Sequence, residues 1–195
     1  SARMQAYGAW VANRYKDRKN ILWMMGGDMG TSPQTFSSAQ TTVEAALLAG
    51  MQSVSGQQST NVTAEWESES IATDQSTFGP AMTFNGVYSW TGDVNTHGRR
   101  AYARTPVLPA FFLEGPFDEE GPDGKGYNSS ATQPVRRFAW WGWLSTIGGY
   151  FMGNGYVWPF RTNSVSVDWR NHLDTASTRD LTRLNDFMGG LGWQK

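Results

Sequence analysis

The sequence predicts an α/β protein built from parallel strand–helix units, and three observations carry that prediction. Short apolar runs alternate with longer amphipathic segments, about five times along the 195 residues. The first run, Ile21 to Met25, is uninterrupted, as in strands covered on both faces. Glycine pairs or acidic residues follow several of these runs, where α/β folds place their sites.

Taken in order, Ser1 to Lys19 reads as a helix, with Met4, Tyr7, Val11 and Tyr15 at three- and four-residue spacing. Ile21 to Met25 is the first strand, and Gly26 and Gly27 are expected to end it. Thr31 to Pro33 reads as a loop. Ser32 or Thr35 can cap the helix expected over Phe36 to Ala49, with Gly50 as its stop. Met51 to Ser59 is polar and poorly periodic. Asn61 to Trp66 reads as a strand, and Glu67 to Met82 as an irregular loop with a helical turn. Thr83 to Trp90 and Thr105 to Leu113 are further strands, separated by a short basic helix over Thr96 to Arg104. Pro109 cannot donate to a ladder, so pairing is expected to start or bulge there. Gly115 to Ala131 reads as a loop and Thr132 to Ile147 as a helix closed by Gly148 and Gly149. Tyr150 to Met152 is a fifth short strand, Gly153 to Phe160 an aromatic loop, and Thr175 to Met188 a last helix.

Composition narrows the function classes. The length suits one domain over residues 1–195 with a full core. A net charge of −1 makes no case for nucleic acid or anionic membrane as partner. No stretch approaches the roughly 18 apolar residues of a membrane span. Without cysteine there is no thiol catalysis, zinc–thiolate site or disulfide. Only two histidines, His97 and His172, are present, without metal-ligand spacing, so neither a metal nor a cofactor is expected. Ten Trp, ten Phe and seven Tyr suit a protein that stacks rings on sugar faces more than one that merely has a core rich in aromatics.

Two carboxylates stand out because each directly follows an expected strand and its turn: Asp28 after LWMMGG and Glu114 after PAFFL. If the strands share one open end, the two side chains meet across one pocket. Two facing carboxylates are what glycoside hydrolysis requires. The other reading makes both of them strand-end caps. Glu65, Glu67 and Glu69 read as solvated, although Glu65 alone follows a strand and is a further candidate for the site. Asp118, Glu119 and Glu120 read as an acidic surface loop.

The phrases YGAWVANRYKDRKNILWMMGGDM, PVLPAFFLEGPFDEEG and PVRRFAWWGWLSTIGGYFMGNGYVWPF resemble the apiosidase-like (DUF4038) glycoside hydrolases. The resemblance implies a (β/α)8 TIM barrel, with these blocks as its fourth, seventh and eighth strands and their flanking helices. It implies Asp28 as acid/base and Glu114 as nucleophile of a retaining enzyme acting on a plant or bacterial polysaccharide. Glu119 or Glu120 matches the family's second glutamate, and Arg136 and Arg137 match its arginine pair, with Arg137 orienting Glu114. Tyr150, Tyr156 and Trp158 match the aromatic wall after the last strand, and Trp66, Tyr88 and Trp90 are expected as further stacking walls. Where the family often has a Thr-x-His-Pro phrase, this chain has Thr63-Ala64-Glu65-Trp66.

The same match makes the chain strands four to eight of the barrel. Such barrels need about 250 residues, so the barrel is expected to be incomplete. Strands one to three are then expected from a separate chain or a missing segment. A secreted or periplasmic bacterial location goes with the resemblance. The alternative is a non-catalytic carbohydrate-binding protein on the same scaffold.

Overall fold

A computed structural model describes residues 1–30, 35–56, 61–91, 93–120, 134–162 and 168–192. The loop expected at 31–33, the end of the polar stretch at 57–59, residues 121–131 of the acidic loop and the first residues of the helix expected from Thr132 lie outside them.

The fold is α/β. The chain runs α1 (Ala2–Tyr15), β1 (Trp23–Met29), α2 (Ser38–Gln52), β2 (Val62–Trp66), β3 (Ser70–Ile71), β4 (Asn85–Tyr88), α3 (Val94–Tyr102), β5 (Ala110–Glu114), α4 (Pro134–Trp143) and α5 (Ala176–Gly190). Ser37 caps α2 with a reciprocal capping box to Gln40, a cap two to five residues away from those expected. Gly50 does not stop α2. It lies inside the helix, where a Cβ would run into the Gln5 carbonyl of α1, so it marks a close helix crossing.

β1 pairs with β2 and β4 with β5, both parallel, while β3 runs antiparallel to β4. The two sheets are joined at β2 and β4. The Thr83 and Phe84 N–H groups donate to the Val62 carbonyl, and the Gly86 N–H donates to the Thr63 hydroxyl. A threonine side chain thus takes the place of a ladder carbonyl between them. The fifth expected strand is reduced to a parallel bridge between Phe112 and Tyr150. β5 starts directly after Pro109, whose carbonyl accepts from the Asn85 N–H.

Alternation along β2 decides which side each residue serves. Val62, Ala64 and Trp66 join Met25, Leu48 and Phe78 in one buried cluster beneath the helices. A second cluster packs Val87 and Phe112 against Val94, Ala101 and Phe138 of α3 and α4. Leu184 and Met188 of α5 pack on Ala139 of α4. The opposite face of β1 is open: Met24 is 50% exposed, where a strand covered on both faces was expected.

Candidate active site

β1 does not end at its glycines, as expected, but bulges there. Gly26 pairs with Glu65 and Met29 with Trp66, so Gly27 and Asp28 leave the ladder. Gly26, Gly27 and Asp28 all have positive φ, at 86°, 113° and 50°. A Cβ on Gly26 would strike the Glu65 carbonyl oxygen, so only glycine fits that position. Aspartate is among the few other residues that tolerate the left-handed region. The bulge re-aims Asp28 across the strand ends, and the Tyr88 hydroxyl donates to its Oδ1 at 2.8 Å.

A second irregularity does the same for Glu114. Val87 pairs with Phe112 but Tyr88 with Glu114, so Leu113 is the extra residue of a bulge. Without it, Glu114 would share the buried face of Phe112. With it, Glu114 lies beside Tyr88, whose hydroxyl favours the ionised carboxylate. Tyr88 thus adjoins both carboxylates and the Trp90 indole in one cleft.

Asp28, Tyr88, Trp90, Glu114, Phe117, Glu120 and Trp158 line one open cleft of about 400 Å³. Trp90 stacks on Phe117, with ring centroids 5.8 Å apart. Trp158 is 61% exposed at the rim, and its indole is close enough to favour the charged Glu120 carboxylate. Glu120 Oε2 is buried without a protein partner.

The cleft is crowded with negative charge. Burial, then Glu65, Asp28 and Glu120, push the Glu114 carboxyl up to about 7, against a smaller opposing pull from Tyr88. Burial and the Asp28 charge raise Glu65, even though the Asp28 backbone N–H donates to it. Burial raises Glu120 despite Arg161 and the Trp158 indole. Burial also raises the Tyr88 phenol, which stays protonated and able to donate. A carboxyl poised near neutrality beside a second carboxylate is the arrangement acid–base chemistry needs. Among the described residues, no group of three His, Cys, Asp or Glu side chains is arranged to hold a metal ion.

Several sequence expectations need correction. Trp66 is fully buried, packed on Phe36 and Phe78, with its indole donating to the Ala72 carbonyl, so it cannot stack on a ligand. It shares the helix-facing parity of Val62 and Ala64, a signal that alternation already carried. Arg137 lies over the Trp141 ring on the exposed side of α4 and does not orient Glu114. Arg136 pairs with Asp180 of α5 at 3.8 Å. Glu119 points out of the cleft: it accepts from Asn154 Nδ2 at 2.9 Å and bonds His172 Nδ1 at 2.7 Å. Of the two neighbouring glutamates, Glu120 lines the cleft. Tyr156 stands behind the rim, stacked on His172 at 3.9 Å. Glu69 is not solvated, because its carboxylate accepts from Ser89, Trp90 and Thr91. Phe117 has no distinguishing sequence signal and was missed.

The model of the apiosidase-like catalytic domain matches residues 1–195. The chain belongs to the apiosidase-like family. No curated protein matches it. Among solved structures, it is similar to a glycoside hydrolase family 5 protein from Bacteroides vulgatus ATCC 8482. That match has a TM-score of 0.75 at 21% identity and covers 95% of this chain and 44% of that one. A second structure, described as a glycoside hydrolase, matches with a TM-score of 0.74 at 19% identity, covering 95% of this chain and 46% of that one. The apiosidase-like chain therefore spans less than half the length of either protein, and shares its fold over that part.

Proposed function

We propose that this chain carries the catalytic pair of a retaining glycoside hydrolase acting on a plant or bacterial polysaccharide. The observation that carries the proposal is that Asp28 and Glu114 line one aromatic cleft, with the Tyr88 hydroxyl that bonds Asp28 also beside Glu114. Retention requires such a pair to stand about 5–5.5 Å apart, and inversion a wider spacing.

Glu114 attacks the anomeric carbon and forms a glycosyl ester, while Asp28 protonates the departing glycosidic oxygen. Water, deprotonated by Asp28, then cleaves the ester and releases Glu114. Tyr88 donates to Asp28, and Glu114, pushed up to about 7, tends to hold the proton. The reactive state has that proton on Asp28 and the Tyr88 hydrogen turned to Glu114. Trp90 and Trp158 supply stacking faces, and the unpartnered Glu120 Oε2 accepts from a sugar hydroxyl. The test uses a panel of 4-nitrophenyl glycosides, with the product anomer followed by proton NMR. Glu114→Gln and Asp28→Asn are expected to lose several orders of magnitude in rate. Activity that survives Glu114→Gln, or an inverted first product, refutes the proposal. Oligosaccharide binding without any product would favour a carbohydrate-binding protein instead.

We further propose that the strands form part of a (β/α)8 barrel completed by other strands, from a further segment or a second chain. The apolar surface of Leu22, Phe84, Phe111 and the 55%-exposed Phe151 lines a cavity of about 450 Å³ and supports this reading. Strong binding of a hydrophobic dye by residues 1–195, lost on adding the completing segment, is the expected result. A monomer that binds no dye would refute it.

A further inference from the structure

We propose that Glu69 is a positioning residue of the cleft: its carboxylate sets the 89–91 turn and thereby the pose of Trp90 against Tyr88 and Phe117. The consequence for catalysis rests on the glycosidase reading, whereas the clamp itself does not.

Glu69 has φ of 62° and directly precedes β3, whose Ser70 pairs with Tyr88 at the end of β4. Its side chain therefore faces the residues that follow β4. Oε1 accepts from the Trp90 N–H at 2.6 Å and the Thr91 N–H at 3.0 Å. Oε2 accepts from the Ser89 and Thr91 hydroxyls, each at 3.0 Å, and meets His97 Nε2 at 3.0 Å. Burial alone would raise this carboxyl, but the bonds from His97, Trp90, Thr91 and Ser89 outweigh it and hold Glu69 below its usual range. An ionised carboxylate with five donors is a strong local organiser.

The clamp is itself held from behind. His97 is only 5% exposed on α3, and Arg100, one turn on, donates to its Nδ1 at 2.8 Å. Nδ1 must therefore carry the lone pair and Nε2 the hydrogen, which fixes Nε2 as a donor to Glu69. Arg100 also bonds Asp74, which accepts the Ile71 N–H of β3 at 2.9 Å. The chain Asp74–Arg100–His97–Glu69 ties β3 and α3 to one point beneath Trp90. What it positions is chemically pointed, since Trp90 stacks on Phe117 and lines the cleft beside Tyr88, whose hydroxyl donates to Asp28.

The test reads the Trp90 indole ¹H–¹⁵N signal, assigned by its absence in Trp90→Phe. Tyr88→Phe, with the clamp intact, removes the hydroxyl beside the indole and calibrates the move. Glu69→Ala is expected to reproduce that move and to speed solvent exchange of the indole at least about tenfold. Glu69→Gln keeps one accepting oxygen where the carboxylate has two, so it cannot serve both the backbone N–H groups and His97, and is expected to fall between. Thr91→Val removes one donor and gives a smaller shift, so it serves if Glu69→Ala does not fold. An unmoved Trp90 signal in folded variants overturns the proposal.

With a cleavable 4-nitrophenyl glycoside, Glu69→Ala is expected to raise KM about 2- to 10-fold, the worth of one aromatic contact. The Glu69→Ala/Trp90→Ala double variant should be no worse than Trp90→Ala alone. Additive losses would mean that Glu69 does not act through Trp90. If the wild-type protein cleaves no glycoside, the enzyme reading fails, and the indole signal still decides the clamp.

Discussion

Replacing Glu114 by glutamine should make the protein more stable above neutral pH while abolishing its chemistry. Burial and the charges of Glu65, Asp28 and Glu120 raise the Glu114 carboxyl from 4.5 to about 7. A carboxyl raised on folding favours the protonated folded state. Its contribution is fully present below the unfolded value of 4.5 and is lost as pH rises through about 7. At 1.36 kcal/mol per tenfold, the full rise is worth about 3 kcal/mol. Glu114 is only half-buried, so solvent screening cuts this to about 1–2 kcal/mol. The amide keeps the shape and carries no charge. For a chain of this size that is a gain of about 3–6 °C in Tm. Melting curves of both proteins from pH 4 to 8 provide the assay. The difference should be near zero at pH 4, open between pH 5 and 7, and level off at pH 8. Equal melting temperatures throughout, or a gap that is largest at pH 4, would refute the electrostatic account of the cleft.

Other substitutions separate core from cleft. Trp66→Ala should cost about 3–5 kcal/mol of stability, because it empties a fully buried site between Phe36 and Phe78. Chemical denaturation would measure this, and KM should stay unchanged in whatever protein folds. Trp158→Ala should do the reverse, raising KM while shifting the denaturation midpoint by less than about 0.5 kcal/mol, since the ring is 61% exposed. Gly26→Ala should cost about 2 kcal/mol or more, because its φ is 86° and the new Cβ meets the Glu65 carbonyl. The Asp28 bulge should be displaced with it, and a structure of the variant with Asp28 still bonded to Tyr88 would refute that coupling.

The alternation of strand and helix was readable in the sequence because apolar periodicity is a local property. So was the pairing of Asp28 with Glu114, because each closes an apolar run and α/β folds gather strand ends. Pro109 marked the start of β5 correctly, since a missing N–H is a property of the residue itself. The family phrases added the order of these blocks. Strand parity could have excluded Trp66 from the cleft, since it falls in step with Val62 and Ala64. Parity could not have included Glu114, because the extra residue at Leu113 exists only in the pairing of β5 with β4. Nor could sequence tell Glu119 from its neighbour. Asn154 and His172, 35 and 53 residues away, claim one, and the other is left in the cleft. Glu69 and His97 look like ordinary polar surface in the chain and become partners only when β3 folds back on β4. What the sequence determined by itself is where the strands end and which residue types stand there. Which of those side chains face one another was decided by two bulges and by contacts between distant segments, and such contacts have no local signature.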